Sequence, residues 1–385
     1  MPVLVGWRTP GDTDSAPLQV LNDSRRPRFV AKTNGASELA PRPHSGRMSV
    51  CLYARGRRGG LMFWRKSVPK DELTVFFATD LHGSTICFKK FVNAAQFYGA
   101  GTLVLGGDMT GKAIVPITKV GADSYVATDS GTRITLESGS ALNDFLLKVD
   151  NKGFYGAVLT ADEKDELDRS EEARDRLFRR LVVERVEEWI DFASKKLAGS
   201  AVRIISSPGN DDFFDIDEVL KASDIVDYHD KEVTDLGNYR ILHCGGSTVT
   251  PWDTEREYSE EQYAEIFDGL RDKIGAPGRC IFNVHVPPRD TALDECPKLD
   301  SDLKVVFEMG NPAKMHAGSS SVREAIEDIQ PLLGLHGHIH EGRASIKIGR
   351  TTCVNPGSLY SDGVLQGVLV SLSGEKVSSV QMLQG

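Results

Sequence analysis

From Thr74 onward the chain alternates between continuous apolar runs and segments with helical periodicity. The runs Thr74–Asp80 and Thr102–Asp108 each end in a carboxylate, which is typical of strands buried on both faces. Between them, residues 85–99 place apolar side chains on one side of a helix. Two buried strands joined by a helix predict a parallel βαβ unit, and therefore an α/β fold.

The segment 113–136 departs from this pattern. Its polar and apolar side chains alternate, and turn residues at 121–123 and 129–131 predict an antiparallel excursion. Residues 170–198 give the clearest helical pattern, with Ser170 suited to the N-cap and Gly199 to the end of the helix. Further strands are predicted at residues 202–206, 239–244, 281–286, 332–336, 345–354 and 366–372.

Residues 1–70 differ from the rest of the chain. They are rich in Arg, Pro, Gly and Ser and have no strand or helix periodicity of useful length. A disordered basic tail is the favoured interpretation. A targeting segment and upstream translation, with Met62 as the physiological start, stay open as alternatives. The predicted organisation is therefore a basic tail over 1–70 and a folded domain over 71–385.

Charge and cysteine usage narrow the class of protein. The net charge of −9 combines 13 basic and 4 acidic residues in segment 1–70 with 33 basic and 51 acidic residues in the remainder. Such an acidic body does not favour a protein that coats nucleic acid, although nucleic acid is not excluded as a substrate. The six cysteines form no CxxC pair, and no apolar stretch approaches the roughly 18 residues of a membrane span. A soluble protein of the reducing cytoplasm, with no membrane partner, is expected.

Polar residues of metal-ligand type cluster where predicted strands end, which is where α/β sheets bind ligands. The clusters are Asp80-Leu81-His82, Gly106-Gly107-Asp108, Gly209-Asn210-Asp211-Asp212, His285 in the segment NVHVPP, and Gly337-His338-Ile339-His340 followed by Asn355-Pro356-Gly357-Ser358. A lone histidine at a strand end is usually structural. Five such clusters in one chain indicate a metal site.

The residue types suit divalent metals such as Mn, Fe, Zn or Co. If the backbone is extended, the i and i+2 residues of the DxH and HxH pairs point the same way and can face one site. Asp and Asn supply oxygen ligands, and a carboxylate can bridge two ions. Two ions about 3.5–4 Å apart can share a hydroxide and clamp both oxygens of an in-line displacement.

The order DxH, GD, GN, isolated His, GHxH and NPGS resembles the calcineurin-like metallophosphoesterase superfamily. The resemblance covers Thr74 to the C-terminus, with an insertion at about 113–169. It implies a four-layer αββα sandwich of two mixed sheets, and two divalent ions, with manganese favoured over Fe, Zn, Co or Ni. One ion is then held by Asp80, His82, Asp108 and His340. The other is held by Asp108, Asn210, His285 and His338, with Asp108 bridging.

One residue departs from the family pattern. Many members have histidine after GN, where it can protonate the leaving group, and here Asp211 takes that position. An ionised carboxylate would repel a phosphoryl group, so Asp211 must be protonated, turned away or bound to a cation. Asp211 and Asp108 are the predicted catalytic residues. Without an imidazole acid, phosphodiesters or activated esters are expected to be better substrates than alkyl monoesters.

The expected function is hydrolysis of a small phosphoester by a metal-bridging hydroxide. A nuclease using the same metal centre, and a non-catalytic interaction module, are the alternatives. The segment from Gly106 to Ala113 nearly matches a P-loop but lacks its Ser or Thr, so Lys112 is expected to be solvated rather than bound to phosphate. For Gly318–Ser321, helix capping is favoured over anion binding. Structural roles are expected for His44, His229, His243, His316 and His336.

Overall fold

The computed structural model describes residues 72–385, which form a sandwich of two six-stranded mixed sheets. The predicted N-terminal tail over 1–70 lies outside the described residues. In spatial order, the strands of the first sheet are Lys376–Gln384, Gln366–Ser373, Glu72–Ala78, Thr102–Leu105, Arg203–Ser206 and Val226–Tyr228. The last four of these run parallel, and the chain's final two strands complete the sheet in antiparallel fashion.

The second sheet is likewise parallel at its centre and antiparallel at both edges. In spatial order its strands are Ala344–Ile348, Thr351–Asn355, Leu333–Leu335, Cys280–Val284, Tyr239–Cys244 and Glu232–Leu236. The single strand predicted over 345–354 is wrong: this segment is a hairpin that turns at Gly349, whose φ of 59° favours glycine.

Seven α-helices lie among the described residues. They are α1 (Thr85–Tyr98), α2 (Ser140–Asn151), α3 (Ala161–Arg169), α4 (Glu171–Leu197), α5 (Asp217–Lys221), α6 (Glu260–Leu270) and α7 (Ser320–Ile329). The helices predicted over 85–99 and 170–198 are confirmed as α1 and α4, and the Ser170 hydroxyl caps α4 by accepting from Ala173 N. None of the helices in the described residues is long and apolar enough to cross a bilayer.

Three apolar clusters show that the sandwich has four layers. Val75 and Phe77 of the first sheet pack against Ile281 and Leu333 of the second, between the sheets. On the outer face of the first sheet, Phe76 packs with residues of α1 and α4, and on the outer face of the second sheet Phe282 packs with residues of α6 and α7. Successive side chains of one strand, such as Phe76 and Phe77, therefore enter different layers. The αββα architecture expected from the resemblance is confirmed.

The segment 113–169 forms a small unit beside this sandwich. The antiparallel strands predicted there are confirmed as Ile114–Lys119, Ser124–Asp129 and Thr132–Glu137. A fourth strand, Tyr155–Leu159, adds parallel to Ile114–Lys119, and α2 packs on the resulting sheet through Phe145 and Val149. The remaining described strands have two or three residues each: Ser247–Thr248, Glu257–Tyr258, Glu295–Pro297, Phe307–Glu308, Asn311–Pro312 and Lys314–His316. Four short 3-10 helices complete the described elements: Phe214–Ile216, Arg271–Lys273, Pro277–Arg279 and Tyr360–Asp362.

Candidate metal centre

The first two ligand loops run side by side at the carboxyl end of the first sheet. The strands that precede them end at Ala78 and Leu105, earlier than predicted, so Asp80 and Asp108 lie in the loops rather than in the strands. Asp80 N donates to Gly107 O at 2.9 Å and His82 N donates to Asp108 O at 2.9 Å. These backbone hydrogen bonds continue the parallel pairing beyond the strands and fix the two loops against each other.

The expected extended conformation of the DxH and HxH pairs is wrong. Asp80, His82, Asp108 and His338 adopt positive φ angles of 56°, 41°, 50° and 64°, in the left-handed region that non-glycine residues rarely adopt. Such backbone strain is found mainly at functional sites, where surrounding contacts enforce it. Tight left-handed turns, rather than strand alternation, bring the side chains together.

Two motif glycines allow the ligand loops to approach one another. A β-carbon on Gly209 would lie 2.0 Å from Asp108 Oδ1, and one on Gly337 would lie 2.5 Å from Asp80 Oδ2. Both contacts are far inside van der Waals distance. Glycine is therefore required before Asn210 and before His338, because in each case a buried carboxylate lies where a side chain would be.

The first ligand cluster contains Asp80, His82 and His340. Nε2 of His82 lies 3.0 Å from Nε2 of His340, and Nε2 of His340 lies 3.4 Å from Asp80 Oδ1. One potential ligand atom from each of the three residues lies within 4.8 Å of the other two. This is the set that the sequence assigns to one ion, apart from Asp108.

The second cluster contains Asp108, His285 and His338, again with ligand atoms within 4.8 Å of one another. Nε2 of His285 lies 3.4 Å from Asp108 Oδ2, while Nδ1 of His285 lies 2.8 Å from Gly106 O. Because the carbonyl accepts a hydrogen bond, Nδ1 carries a proton, and Nε2 is the ring atom that faces the cluster. Asp108 Oδ2 also lies 3.7 Å from His82 Nε2, which places Asp108 between the two clusters.

Asn210 joins the second cluster through its neighbour. Asp211 N donates to Asp108 Oδ1 at 2.9 Å, so Asn210 stands directly beside the central carboxylate. Nδ2 of Asn210 donates to Thr254 Oγ1 at 3.1 Å. This orientation leaves Oδ1 as the ligand-type atom. All seven residues that the sequence assigns to metal binding are thus in one region, and their role as ligands remains a prediction.

The buried polar atoms of this region fit a cation. Asn210 Oδ1 and His285 Nε2 are buried without a hydrogen-bond partner among the described residues, and both are lone-pair donors to metals. Burial raises the pKa of Asp108 to about 6, and the neighbouring carboxylates Asp211 and Asp80 act in the same direction. Burial also lowers the pKa of His338 to about 3, which keeps its ring neutral. Burial would lower the pKa of His285, but the carboxylate of Asp108 outweighs it and raises the pKa to about 10. A divalent cation would take the place of this proton, and clustered carboxylates and imidazoles are a donor set for such metals.

Asp211 is bound to a cation, which is one of the three states expected for it. Its Oδ2 lies 2.6 Å from Lys112 Nζ and 3.6 Å from His82 Nδ1. Burial would raise the pKa of Asp211, but the charge and the hydrogen bond of the Lys112 ammonium outweigh it and lower the pKa to about 2. The expectation that Lys112 is solvated is wrong, since its side chain is 26% exposed and pairs with this carboxylate.

Sequence reasoning missed Tyr360 and Arg256, and it gave Asp212 no role of its own. The ring of Tyr360 lies 4.7 Å from that of His82. The carboxylate of Asp212 accepts from Thr110 N and Gly209 N at 2.9 Å, and Arg256, 1% exposed, donates from Nε to Asp212 O at 2.6 Å. The GNDD run offered a signal for Asp212. Tyr360 and Arg256 had no local sequence signal, because their roles depend on tertiary contacts.

The helix-capping interpretation of Gly318–Ser321 is confirmed. The Ser319 hydroxyl accepts from Val322 N, and the carboxylate of Glu260 accepts from Ser319 Oγ, Ser320 N and Ser321 N. The protein's own carboxylate thus occupies the position where an anion could bind.

The structural roles expected for four histidines are confirmed. Their partners are backbone carbonyls for His336, Ser207 and Thr234 for His243, Asp294 for His316, and Glu232 for His229. His44 lies outside the described residues.

Comparisons with known proteins add a relative and several solved structures. No protein-family model matches the chain. An uncharacterised protein of Methanocaldococcus jannaschii, MJ1162, is 30% identical over 177 residues, which are 46% of this chain and 69% of that protein. Similar solved structures include TT1561 of Thermus thermophilus (14% identity, TM-score 0.44) and an archaeal phosphodiesterase (13% identity, TM-score 0.27). Each match covers 81% of this chain, and 98% and 100% of the respective structures.

The family assignment combines this relative with the architecture described above. A four-layer sandwich carries Asp, His and Asn side chains in the expected order at the ends of its strands, and those side chains meet in one place. The chain belongs to the same family as the Methanocaldococcus protein, and its fold is that of the calcineurin-like metallophosphoesterases.

Proposed function

We propose that the protein hydrolyses phosphate esters at a centre of two divalent cations, and that its substrate is a small phosphodiester or activated ester. One observation carries the proposal. Two Asp-His-His trios lie side by side, Asp108 of the second trio also lies close to His82 of the first, and His285 Nε2 and Asn210 Oδ1 are buried without a hydrogen-bond partner among the described residues.

The assignment of ligands follows the two clusters. Asp80, His82 and His340 would hold one cation, and Asn210, His285 and His338 would hold the other, with Asp108 shared. When bound, a pair of divalent cations supplies Lewis acidity that activates water and offsets the charge of the phosphoryl group. The protein's own contribution is rigidity, since Gly106 O fixes the His285 ring and His338 N donates to both oxygens of Asp80 at 3.1 and 3.2 Å.

The residue after Asn210 supports a preference among esters. An alkyl leaving group departs as a strongly basic alkoxide unless a nearby acid gives it a proton. Here that position holds the ionised carboxylate of Asp211, whose charge is matched by Lys112. Aryl esters need this proton less, because an aryl oxide is a weaker base than an alkoxide. A diester carries one negative charge where a monoester carries up to two, so the carboxylate of Asp211 repels it less. The net charge of −18 over residues 71–385 favours a small substrate over a nucleic-acid backbone.

A substrate panel tests the proposal. Purified protein is loaded in turn with Mn, Fe, Zn, Co or Ni, and its metal content is measured by elemental analysis. We expect metal-dependent hydrolysis of bis(p-nitrophenyl) phosphate at a higher kcat/KM than glycerol phosphate. We expect the Asp108→Asn variant to lose activity and metal, and Asp144→Asn, on the exposed face of α2, to keep both. Equal metal content and activity in Asp108→Asn would contradict the proposal, as would a strong preference for alkyl monoesters.

A further inference from the structure

We infer that Lys112 is a substrate-binding residue, whose ammonium group contacts a non-bridging oxygen of the phosphoryl group while Asp211 holds it in place. The inference rests on the proposed function, because it assigns the phosphoryl group to the metal centre. It adds a specificity-determining residue that lies outside the set of metal ligands.

The two residues before Lys112, Thr110 and Gly111, are held by hydrogen bonds to other parts of the chain. Thr110 N donates to Asp212 Oδ1 at 2.9 Å, and Thr110 Oγ1 donates to Asp211 O at 3.0 Å. Gly111 N donates to the hydroxyl of Tyr155 at 2.8 Å, which ties the loop to the insertion. These hydrogen bonds fix the two residues before Lys112, so the loop presents its side chain from a defined position.

The side chain of Lys112 extends from this loop toward the ligands. Nζ lies 2.6 Å from Asp211 Oδ2, which is itself 3.6 Å from Nδ1 of the candidate ligand His82. One carboxylate therefore separates the ammonium from the cluster. The side chain is 26% exposed, and an ammonium has three donors. Pairing with Asp211 leaves donors for a ligand that enters from the solvent.

The negative charges of the metal centre explain why a positively charged side chain is needed beside it. Asp80, Asp108 and Asp211 all belong to the groups of clustered ligand atoms, and each carboxylate would repel a phosphoryl group bound there. Ion pairs between partly exposed side chains add little stability, so stability alone does not account for the Lys112–Asp211 pair. The Lys112–Asp211 pair neutralises one carboxylate beside the metal centre. The ammonium keeps donors that can bind a phosphoryl oxygen.

A simpler alternative is that Lys112 only neutralises Asp211. A double-mutant cycle with Lys112→Met and Asp211→Asn separates the two roles. If Lys112 acts only through Asp211, its replacement in the Asp211→Asn background has no effect on phosphate affinity. If Lys112 contacts phosphate directly, its replacement still weakens binding in that background.

The experiment measures the affinity of the metal-loaded full chain for inorganic phosphate by calorimetry, together with kcat/KM for bis(p-nitrophenyl) phosphate. For Lys112→Met we expect unchanged metal content and a loss of phosphate affinity and kcat/KM of about 10- to 100-fold, the scale of one hydrogen bond to a charged group. We expect a smaller but still measurable loss in the Asp211→Asn background, because Lys112 keeps its charge there and loses only the carboxylate that positions it. Lys112→Arg, which keeps the charge, should recover part of both losses. Lys195→Ala is the matched control, since it removes an exposed Lys–Asp pair on α4 and should change neither quantity.

Each outcome has a definite meaning. Wild-type phosphate affinity in Lys112→Met, or loss of the effect in the Asp211→Asn background, overturns the inference. Should Lys112→Met fail to fold, Lys112→Gln replaces it in the cycle, with thermal unfolding as the check. If the wild-type protein turns over no ester, the proposed function fails, while the phosphate-binding measurements still decide whether Lys112 contacts phosphate.

Discussion

At the scale of single residues, one methyl group should separate the two loops that meet at Asp108. A β-carbon on Gly209 would lie 2.0 Å from Asp108 Oδ1 and 2.4 Å from Asp108 N. Neither group can retreat, because both are buried between hydrogen-bonded loops. We therefore expect Gly209→Ala to displace Asn210 from Asp108, and to lower bound metal at a fixed free concentration by at least about tenfold, the scale of a disturbed ligand shell.

Elemental analysis after dialysis against defined metal concentrations checks this prediction. Gly269→Ala on α6 is the control, because a β-carbon at that position meets no atom within 4 Å. Alanine is also the better helix former, so the control should be slightly more stable than wild type. Wild-type metal content in Gly209→Ala would show that the loops are not as tightly packed as described.

Single residues also mark the limit of what the sequence predicts. The ligand set was predictable because Asp, Asn and His follow apolar runs in a recognisable order. The left-handed turns at Asp80, His82 and His338 were not, since nothing local distinguishes such a turn from the end of a strand. Their conformation is imposed by contacts with loops more than 25 residues away, such as the hydrogen bond from Asp80 N to Gly107 O.

At the scale of elements, Glu260 links the start of α6 to the start of α7. Burial would raise the pKa of Glu260, but hydrogen bonds from Ser319, Ser321 and Ser320 outweigh it and lower the pKa. A carboxylate at a helix N-terminus contributes up to about 1 kcal/mol when partly exposed. We expect Glu260→Gln to reduce the free energy of unfolding at pH 7 by roughly that amount.

The sign of the pH dependence follows from the lowered pKa of Glu260. Its stabilisation is fully present above the unfolded-state pKa of about 4.3 and is lost as the pH falls through the lower folded-state pKa. Denaturation with urea at a series of pH values should therefore show the wild-type and Glu260→Gln curves converging below about pH 4. Glu265→Gln, on the exposed side of α6, should follow wild type throughout. A difference that persists undiminished at pH 3 would contradict the assignment.

The insertion is connected to the ligand loops by a buried arginine of α4. Arg185 Nη1 donates to Gly83 O at 2.8 Å, next to His82, and Nη2 donates to Asp150 Oδ1 of α2 at 2.6 Å. We expect Arg185→Met to lower the free energy of unfolding by about 2–3 kcal/mol, because it leaves Asp150 and a buried carbonyl without a donor. Urea denaturation checks the value. Adding Asp150→Asn should restore part of the loss, and full additivity of the two changes would contradict the described contact.

Helices α1 and α4 were predictable because amphipathic periodicity is a local property of the chain. The fourth strand of the insertion was not predicted, since Tyr155–Leu159 pairs in parallel with a strand about 40 residues earlier. Parallel pairing leaves no turn signal at either strand, so only the tertiary structure reveals it.

At the scale of the whole molecule, the two sheets bring together side chains that lie up to 260 positions apart along the sequence. Periodicity predicted the α/β class, while the four layers followed only from the family resemblance. The reason is physical: the inter-sheet cluster of Val75, Phe77, Ile281 and Leu333 has the same apolar composition as the clusters beneath the helices. Composition alone does not show which apolar surface faces a sheet and which faces a helix.

Because the proposed ligands come from both sheets, cation binding should stabilise the whole sandwich. A ligand that binds only the folded state at 100 times its Kd adds about 2.7 kcal/mol. We expect added Mn²⁺ to raise the temperature of thermal unfolding of protein stripped with a chelator, and the chelator to reverse the effect. The Asp108→Asn variant should unfold near the temperature of the stripped wild type and respond far less to Mn²⁺, because it lacks the shared carboxylate. The same measurement is made with Zn²⁺, Co²⁺ and Ni²⁺. If none of these cations changes the unfolding temperature of the wild type, the two sheets are not joined by a metal centre.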